Sequence, residues 1–284
     1  MIIRLFKRSL FFSFFIILGI VLSGCGPLFF YPQKKMYDNS TAERFHPQDI
    51  WFKSSDGLAL HGWFFQASGE PKATILVFHG NAQNLRTHVN SVLWLVREGF
   101  NVFIFDYRGY GRSEGSPNIK GVHLDGEAAL ETALNMPETQ SAPVVVLGQS
   151  IGGAIAVYTV AHAPDKNRIA ALVIDSAFAS YRLIAREKLD SFWLTWPFQY
   201  PLSYLMGDSY SPVLWINKVS PVPVLILYGK EDDVVPNHHS QILYDAAAQP
   251  KEFWVTPEPG HIMAFADREV RNKFVEYLCS KVRH

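Results

Sequence analysis

The sequence predicts an α/β domain, a mostly parallel sheet with helices on both faces, and three observations carry that expectation. Five short, nearly unbroken hydrophobic runs, at 73–79, 101–106, 143–148, 170–175 and 223–228, have the length and apolar density of strands covered on both sides. Helix-length segments such as 85–98 and 122–135 lie between them, the alternation that parallel strands joined by crossover helices require. The 284 residues are 48% hydrophobic and 18% charged, which suits one sizeable core rather than two full domains. Lys plus Arg and Asp plus Glu number 26 each, so the chain lacks the positive field that phosphate backbones select. No nucleic-acid partner is expected.

Residues 1–24 place Arg4, Lys7 and Arg8 ahead of an apolar run from Leu10 to Leu22. At about 13 residues the run is short for a bilayer span and has the form of an export signal. It ends in Leu22-Ser23-Gly24-Cys25, which resembles the lipobox of bacterial lipoproteins. The resemblance implies cleavage before Cys25, a diacylglyceryl group on its thiol and a mature chain held at the membrane of the cell envelope by its acyl chains. Gly26 stands where inner-membrane lipoproteins commonly carry Asp, so the outer membrane is favoured. The other cysteine, Cys279, follows Val270, Phe274, Val275 and Leu278 on one face of a terminal helix and is expected to be a packed thiol.

Residues 25–47 mix Pro, aromatic and polar side chains without a period, as a tether does, and 48–284 form the domain. The domain opens with runs at 50–53 and 58–65 on either side of Asp56-Gly57, which predicts an edge hairpin. The stretch from about 179 to 218 breaks the strand–helix alternation and is crowded with aromatics, among them Phe192, Trp193, Trp196, Phe198, Tyr200 and Tyr204. It reads as an inserted cap whose rings pack on one another, line a substrate path, or do both. A last short strand is expected at 252–256.

The chemistry centres on Gly148-Gln149-Ser150-Ile151-Gly152, which follows the strand 143–148 and opens a helix near Ile151. A serine on a strand-to-helix turn is held in a strained backbone, and flanking glycines let neighbouring chains pass close by. A serine hydroxyl is a weak nucleophile at neutral pH, so such a site needs a base and an orienting acid from elsewhere in the chain. Candidate loops follow the later strands: Gly229-Lys230-Glu231-Asp232-Asp233-Val234-Val235-Pro236 and Pro259-Gly260-His261.

Over roughly residues 50–283 these motifs, in this order, resemble the α/β-hydrolase superfamily, with its serine aminopeptidase-like and monoacylglycerol-lipase-like members. The resemblance implies an α/β-hydrolase fold in which Ser150 is the nucleophile, His261 the general base and Asp232 the acid of a G-x-x-D-x-x-V-P loop. His79-Gly80-Asn81 resembles the oxyanion loop, so the backbone N–H groups of Asn81 and Ile151 are the expected oxyanion donors. His79 is expected to be structural rather than a base, and the turn from Phe105 to Ser113 to be scaffold. The Asn81 side chain either caps its own turn or touches substrate. Asp233, Glu231 and Asp175 are rival acids.

The implied activity is serine hydrolysis of carboxylic esters or related small acyl compounds. Thioester, amide or peptide cleavage, acyl transfer, and a non-enzymatic envelope scaffold are the alternatives. No cofactor is required, and no metal is expected at His238-His239, which lack a neighbouring carboxylate cluster in the sequence. Replacing Cys25 with Ser should abolish palmitate incorporation and leave an unprocessed precursor on a gel. Undiminished palmitate labelling would refute the lipobox.

Overall fold

The computed structural model describes residues 29–140 and 142–282; the expected export signal and Cys25 lie outside them. Eight strands form one sheet: β1 (Gln48–Lys53), β2 (Ala59–Phe65), β3 (Thr74–Phe78), β4 (Asn101–Phe105), β5 (Val144–Gln149), β6 (Ile169–Asp175), β7 (Val224–Gly229) and β8 (Lys251–Thr256). Their order is β1-β2-β4-β3-β5-β6-β7-β8. The β1–β2 and β2–β4 pairs are antiparallel, and every pair from β4 onward to β8 is parallel. This is the α/β-hydrolase arrangement that the sequence implies, with the predicted hairpin as its β1–β2 edge.

Strands β3, β4 and β5 are buried at every residue, because helices cover both faces of the sheet. One face packs against α1 (Ile119–Asn135) and α2 (Ile151–Ala161), through residues such as Leu130, Ile155 and Val157. The other meets the segment 85–97 and the terminal α5 (Arg268–Lys281), through Leu85, Val89, Phe274 and Leu278. Between these come α3 (Tyr181–Asp190) in the cap and α4 (His238–Ala246) after the acid loop. Helix α1 starts three residues before the predicted 122, where the Asn118 side chain accepts from Gly121 N–H at 2.8 Å. Cys279 is half-buried against the α5 face of the core.

The helix expected at 85–98 is broken into Leu85–His88, a 3₁₀ turn at Val89–Ser91 and Trp94–Arg97. Local side chains divert the carbonyls that a continuous helix would use. Ser91 Oγ donates to the His88 carbonyl at 2.8 Å, and Trp94 Nε1 donates to the Ser91 carbonyl at 3.0 Å. The residues read as tether also differ from expectation, for 29–47 are strapped along the domain. Phe30 is buried in the core, Asn81 Nδ2 donates to the Phe29 carbonyl at 2.7 Å, and Asn84 Nδ2 donates to the carbonyls of Gln33 (3.0 Å) and Lys35 (2.9 Å).

The glycine-rich turn after β4 is scaffold, built on one buried ion pair. Arg108 Nη2 donates to Asp125 Oδ1 at 2.8 Å from the middle of α1, while Nη1 reaches Asp56 of the edge hairpin at 2.7 Å. A Cβ on Gly121 would fall 2.6 Å from the guanidinium, so α1 carries no side chain where that group passes. Replacing Asp125 with Ala removes the buried partner of the Arg108 backbone N–H and Nε and leaves the guanidinium only Ser54 and the part-exposed Asp56, and the urea midpoint should report a loss of about 3 kcal/mol.

Candidate active site

The carboxyl ends of the parallel strands deliver every candidate residue to one edge of the sheet, the usual place for a site in an open α/β fold. Ser150 sits between the last residue of β5 and the first of α2 with φ 55° and ψ −122°. Glycines on both sides make that turn fit. A Cβ on Gly152 would stand 2.1 Å from the carbonyl oxygen of Phe78, and one on Gly148 would stand 2.5 Å from Gly153 Cα. The strained backbone is secured from the next strand, where Ser150 N–H donates to the Asp175 carbonyl at 2.9 Å.

His261 and Asp232 arrive on the loops after β8 and β7. His261 Nδ1 lies 2.8 Å from Asp232 Oδ2, while Asp232 Oδ1 accepts the N–H groups of Val234 and Val235, both at 2.9 Å. The Asp232 side chain is 1% exposed and that of His261 16%. Burial alone would raise the Asp232 pKa, but the hydrogen bonds from His261 and the two backbone groups outweigh it and hold the carboxyl below its ordinary value. The Gly260 N–H donates to the Glu231 carbonyl at 2.9 Å, so the two loops brace each other. Gly80 is the point where the histidine loop approaches Ser150: a Cβ there would meet Ile262 Cδ1 at 3.1 Å and Ser150 Cβ at 3.6 Å. Ile262, next to the histidine, is itself held at φ 59°, a costly conformation for a β-branched residue.

The loop after β3 presents its backbone to the same space. Asn81 spends its side chain on structure: Oδ1 accepts from Tyr31 N–H (3.0 Å), Ala82 N–H (2.8 Å) and the Tyr110 hydroxyl (2.7 Å). The capping role is therefore the one observed. Ala82 and Gln83 follow in left-handed conformations, at φ 64° and 57°. His79 is fully buried, with Nδ1 donating to the Gly80 carbonyl at 2.7 Å and its ring against Tyr107 and His88, a structural histidine. His88 was not singled out from the sequence. Burial drives its pKa down to about 3, and the neutral ring lies 3.1 Å from the Ala82 carbonyl.

Of the rival acids, Asp233 and Glu231 are exposed and Asp175 faces elsewhere. Asp175 is buried beneath Ser150, where it accepts from Gln149 Nε2 at 3.3 Å and Ser176 Oγ at 3.1 Å. Burial pushes its pKa up to about 6.

The structure also supplies the carboxylate that the sequence did not place beside His238-His239. Glu187 of α3 lies 2.9 Å from each ring, and the three form a group of metal-like spacing. The hydrogen bonding argues against a metal there. His239 Nδ1 receives the Ala179 N–H at 3.0 Å, so its Nε2 carries the proton and donates to Glu187. A metal on Nε2 would demand an imidazolate ring. The cluster instead ties the cap to α4.

Comparison with known proteins agrees with this architecture. The profile of the family described as serine aminopeptidase, S33, matches residues 69–201. The chain is 36% identical to YfhR of Escherichia coli over 259 residues, which are 89% of this chain and 86% of that one. It is 34% identical to the α/β-hydrolase domain-containing protein WAV2 of Arabidopsis thaliana over 217 residues, 71% of this chain and 67% of that one. Among solved structures, an esterase of Pyrococcus furiosus superposes with a TM-score of 0.72 at 22% identity, covering 90% of this chain and 98% of the esterase. With its sheet order, its serine turn and these relatives, the chain belongs to the α/β-hydrolase superfamily and is a hydrolase.

Proposed function

We propose that this hydrolase is a serine hydrolase that cleaves carboxylic esters or related acyl compounds through an acyl-Ser150 intermediate, held at the outer membrane by lipid on Cys25. The observation that carries the chemistry is the 2.8 Å Asp232–His261 hydrogen bond, set across Gly80 from a strained serine at a helix N-terminus. Esterases of the same fold, including an acetyl xylan esterase of Thermoanaerobacterium, support the ester reading.

In this mechanism Ser150 Oγ attacks the acyl carbon while His261 Nε2 takes its proton. The Asp232 carboxylate holds the proton on Nδ1, fixing the tautomer and stabilising the imidazolium. Negative charge developing on the carbonyl oxygen meets the N–H groups of Ile151, the first residue of α2, and Asn81. His261 then protonates the departing alcohol. Water, activated by the same imidazole, attacks the acyl-enzyme and releases the acid. The chain's own residues complete the cycle without metal or organic cofactor.

Turnover across a panel of esters, thioesters and peptides of graded acyl length tests the bond class; peptide cleavage without ester cleavage would overturn it. A fluorophosphonate should label the protein at Ser150 and leave Ser150→Ala unlabelled. Asp232→Asn should lower the rate by roughly four decades with little change in thermal midpoint, because an amide of the same size favours the wrong tautomer.

Asp175→Asn should spare most of the rate but change the dependence of stability on pH. With a pKa raised to about 6, the native state holds a proton that the unfolded chain releases near pH 4, so Asp175 costs stability as pH rises through that window. Urea midpoints between about pH 4 and pH 7 should therefore fall more steeply for the wild type than for the Asn variant.

A further inference from the structure

The cap carries an apolar surface that the rest of the described fold leaves open. Phe192, Trp193, Leu194, Trp196, Phe198 and Tyr200, in the nine residues from 192 to 200, are all more than half exposed, Trp193 reaching 78%. Singly exposed rings are ordinary, but a contiguous run of large ones marks a surface that works against something apolar. Arginines stand against its tyrosines. The Arg182 guanidinium lies 4.8 Å from the Tyr204 ring, and that of Arg186 lies 5.6 Å from Tyr200. Rings of Trp and Tyr bordered by arginines are the composition that settles at the boundary between lipid headgroups and acyl chains.

The path of the chain says which apolar phase lies nearby. The described residues begin at Phe29, whose ring is 5.5 Å from that of Tyr181 and 6.0 Å from that of Phe178. Tyr181 is the first residue of α3, the ten-residue helix that leads into the aromatic run. Cys25 precedes Phe29 by four residues, a reach of at most about 14 Å. Helix α3 is about 15 Å long. An acyl group on Cys25 and the aromatic run are thus tied to opposite ends of one short helix, which springs from the carboxyl edge of the sheet beside Ser150.

We propose that the aromatic face of the cap lies in the headgroup–acyl boundary of the bilayer that holds the Cys25 anchor. The cap then meets amphipathic acyl substrates where their chains already reside. The docking rests on the anchor proposed at Cys25, and the use made of it rests on the serine-hydrolase reading.

The test uses the lipidated full chain in phosphatidylethanolamine–phosphatidylglycerol vesicles with bromine on the upper acyl carbons. Bilayer contact should quench tryptophan fluorescence. Replacing Trp193 and Trp196 together with Ser should cut the quenched amplitude at least about twofold, since these are the tryptophans on the docking face. Trp51→Ser, which removes a half-exposed ring on the edge strand β1, should leave the quench unchanged. The proposal is overturned if vesicle-bound protein shows no quench, or if the quench survives the double substitution. In either case the aromatic run does not meet the bilayer. Protein that fails to float with the vesicles overturns the proposal together with the anchor. Fluorophosphonate labelling of Ser150 on the same samples reports the hydrolase reading independently, because its loss would not alter the quench.

Discussion

The site depends on a backbone-to-backbone approach between α2 and the sheet. A single methyl group on Gly152 would occupy the space of the Phe78 carbonyl, 2.1 Å away, and one on Gly148 would collide with Gly153. Because α2 can sit so close, the chain can turn from β5 into the helix within one residue, and that residue is Ser150. A non-glycine residue in such a conformation costs of the order of 1–3 kcal/mol. The cost is borne by β5, buried at every position between β3 and β6, and by the bond from Ser150 N–H to the Asp175 carbonyl. The first N–H groups of a helix have no partner four residues back, and in α2 that of Gly153 turns instead to the Ser150 carbonyl at 2.9 Å.

A second set of contacts holds the loop after β3. The Tyr107 hydroxyl donates to the His79 carbonyl at 3.2 Å, and that of Tyr110 donates to Asn81 Oδ1 at 2.7 Å. Both tyrosines stand on the turn that Arg108 and Asp125 pin to α1. The N-terminal strap is bonded to the same asparagine through Phe29 and Tyr31. The segment at Phe29 and Tyr31 and the loop that approaches Ser150 therefore share a hydrogen-bond partner in Asn81.

Two buried carboxyls near Ser150 are driven in opposite directions by their surroundings. Asp232 receives three donors and stays below its ordinary pKa, fit to hold a cationic imidazole. Asp175 has one amide and one hydroxyl as side-chain donors and no cation among its bonded partners, so burial dominates and raises it to about 6. Neighbouring acids divided in this way serve different ends, one electrostatic and one structural.

Much of the fold was legible in the sequence because its signals are local. Runs of Val, Ile, Leu and Phe too apolar for a half-exposed sheet marked β3 to β7, and glycines two residues on either side of Ser150 marked the turn. The helix at 85–98 was misjudged because hydrophobic spacing does not register that Ser91 and Trp94 bond to carbonyls the helix would need. Residues 29–47 read as a tether because nothing in their order reveals that Asn81 and Asn84 would hold them from about 50 residues away. Resemblance pointed to Asp232, but its contact with His261, the turning of Asp175 toward Gln149, and the placing of Glu187 between two histidines came from the tertiary structure. The sequence by itself determined the sheet, the serine turn and the order of the loops, since those follow from burial and backbone preference over a few neighbouring residues. Which side chains meet across those loops was decided only by packing, because a hydrogen bond depends on tenths of an ångström between residues far apart in the chain.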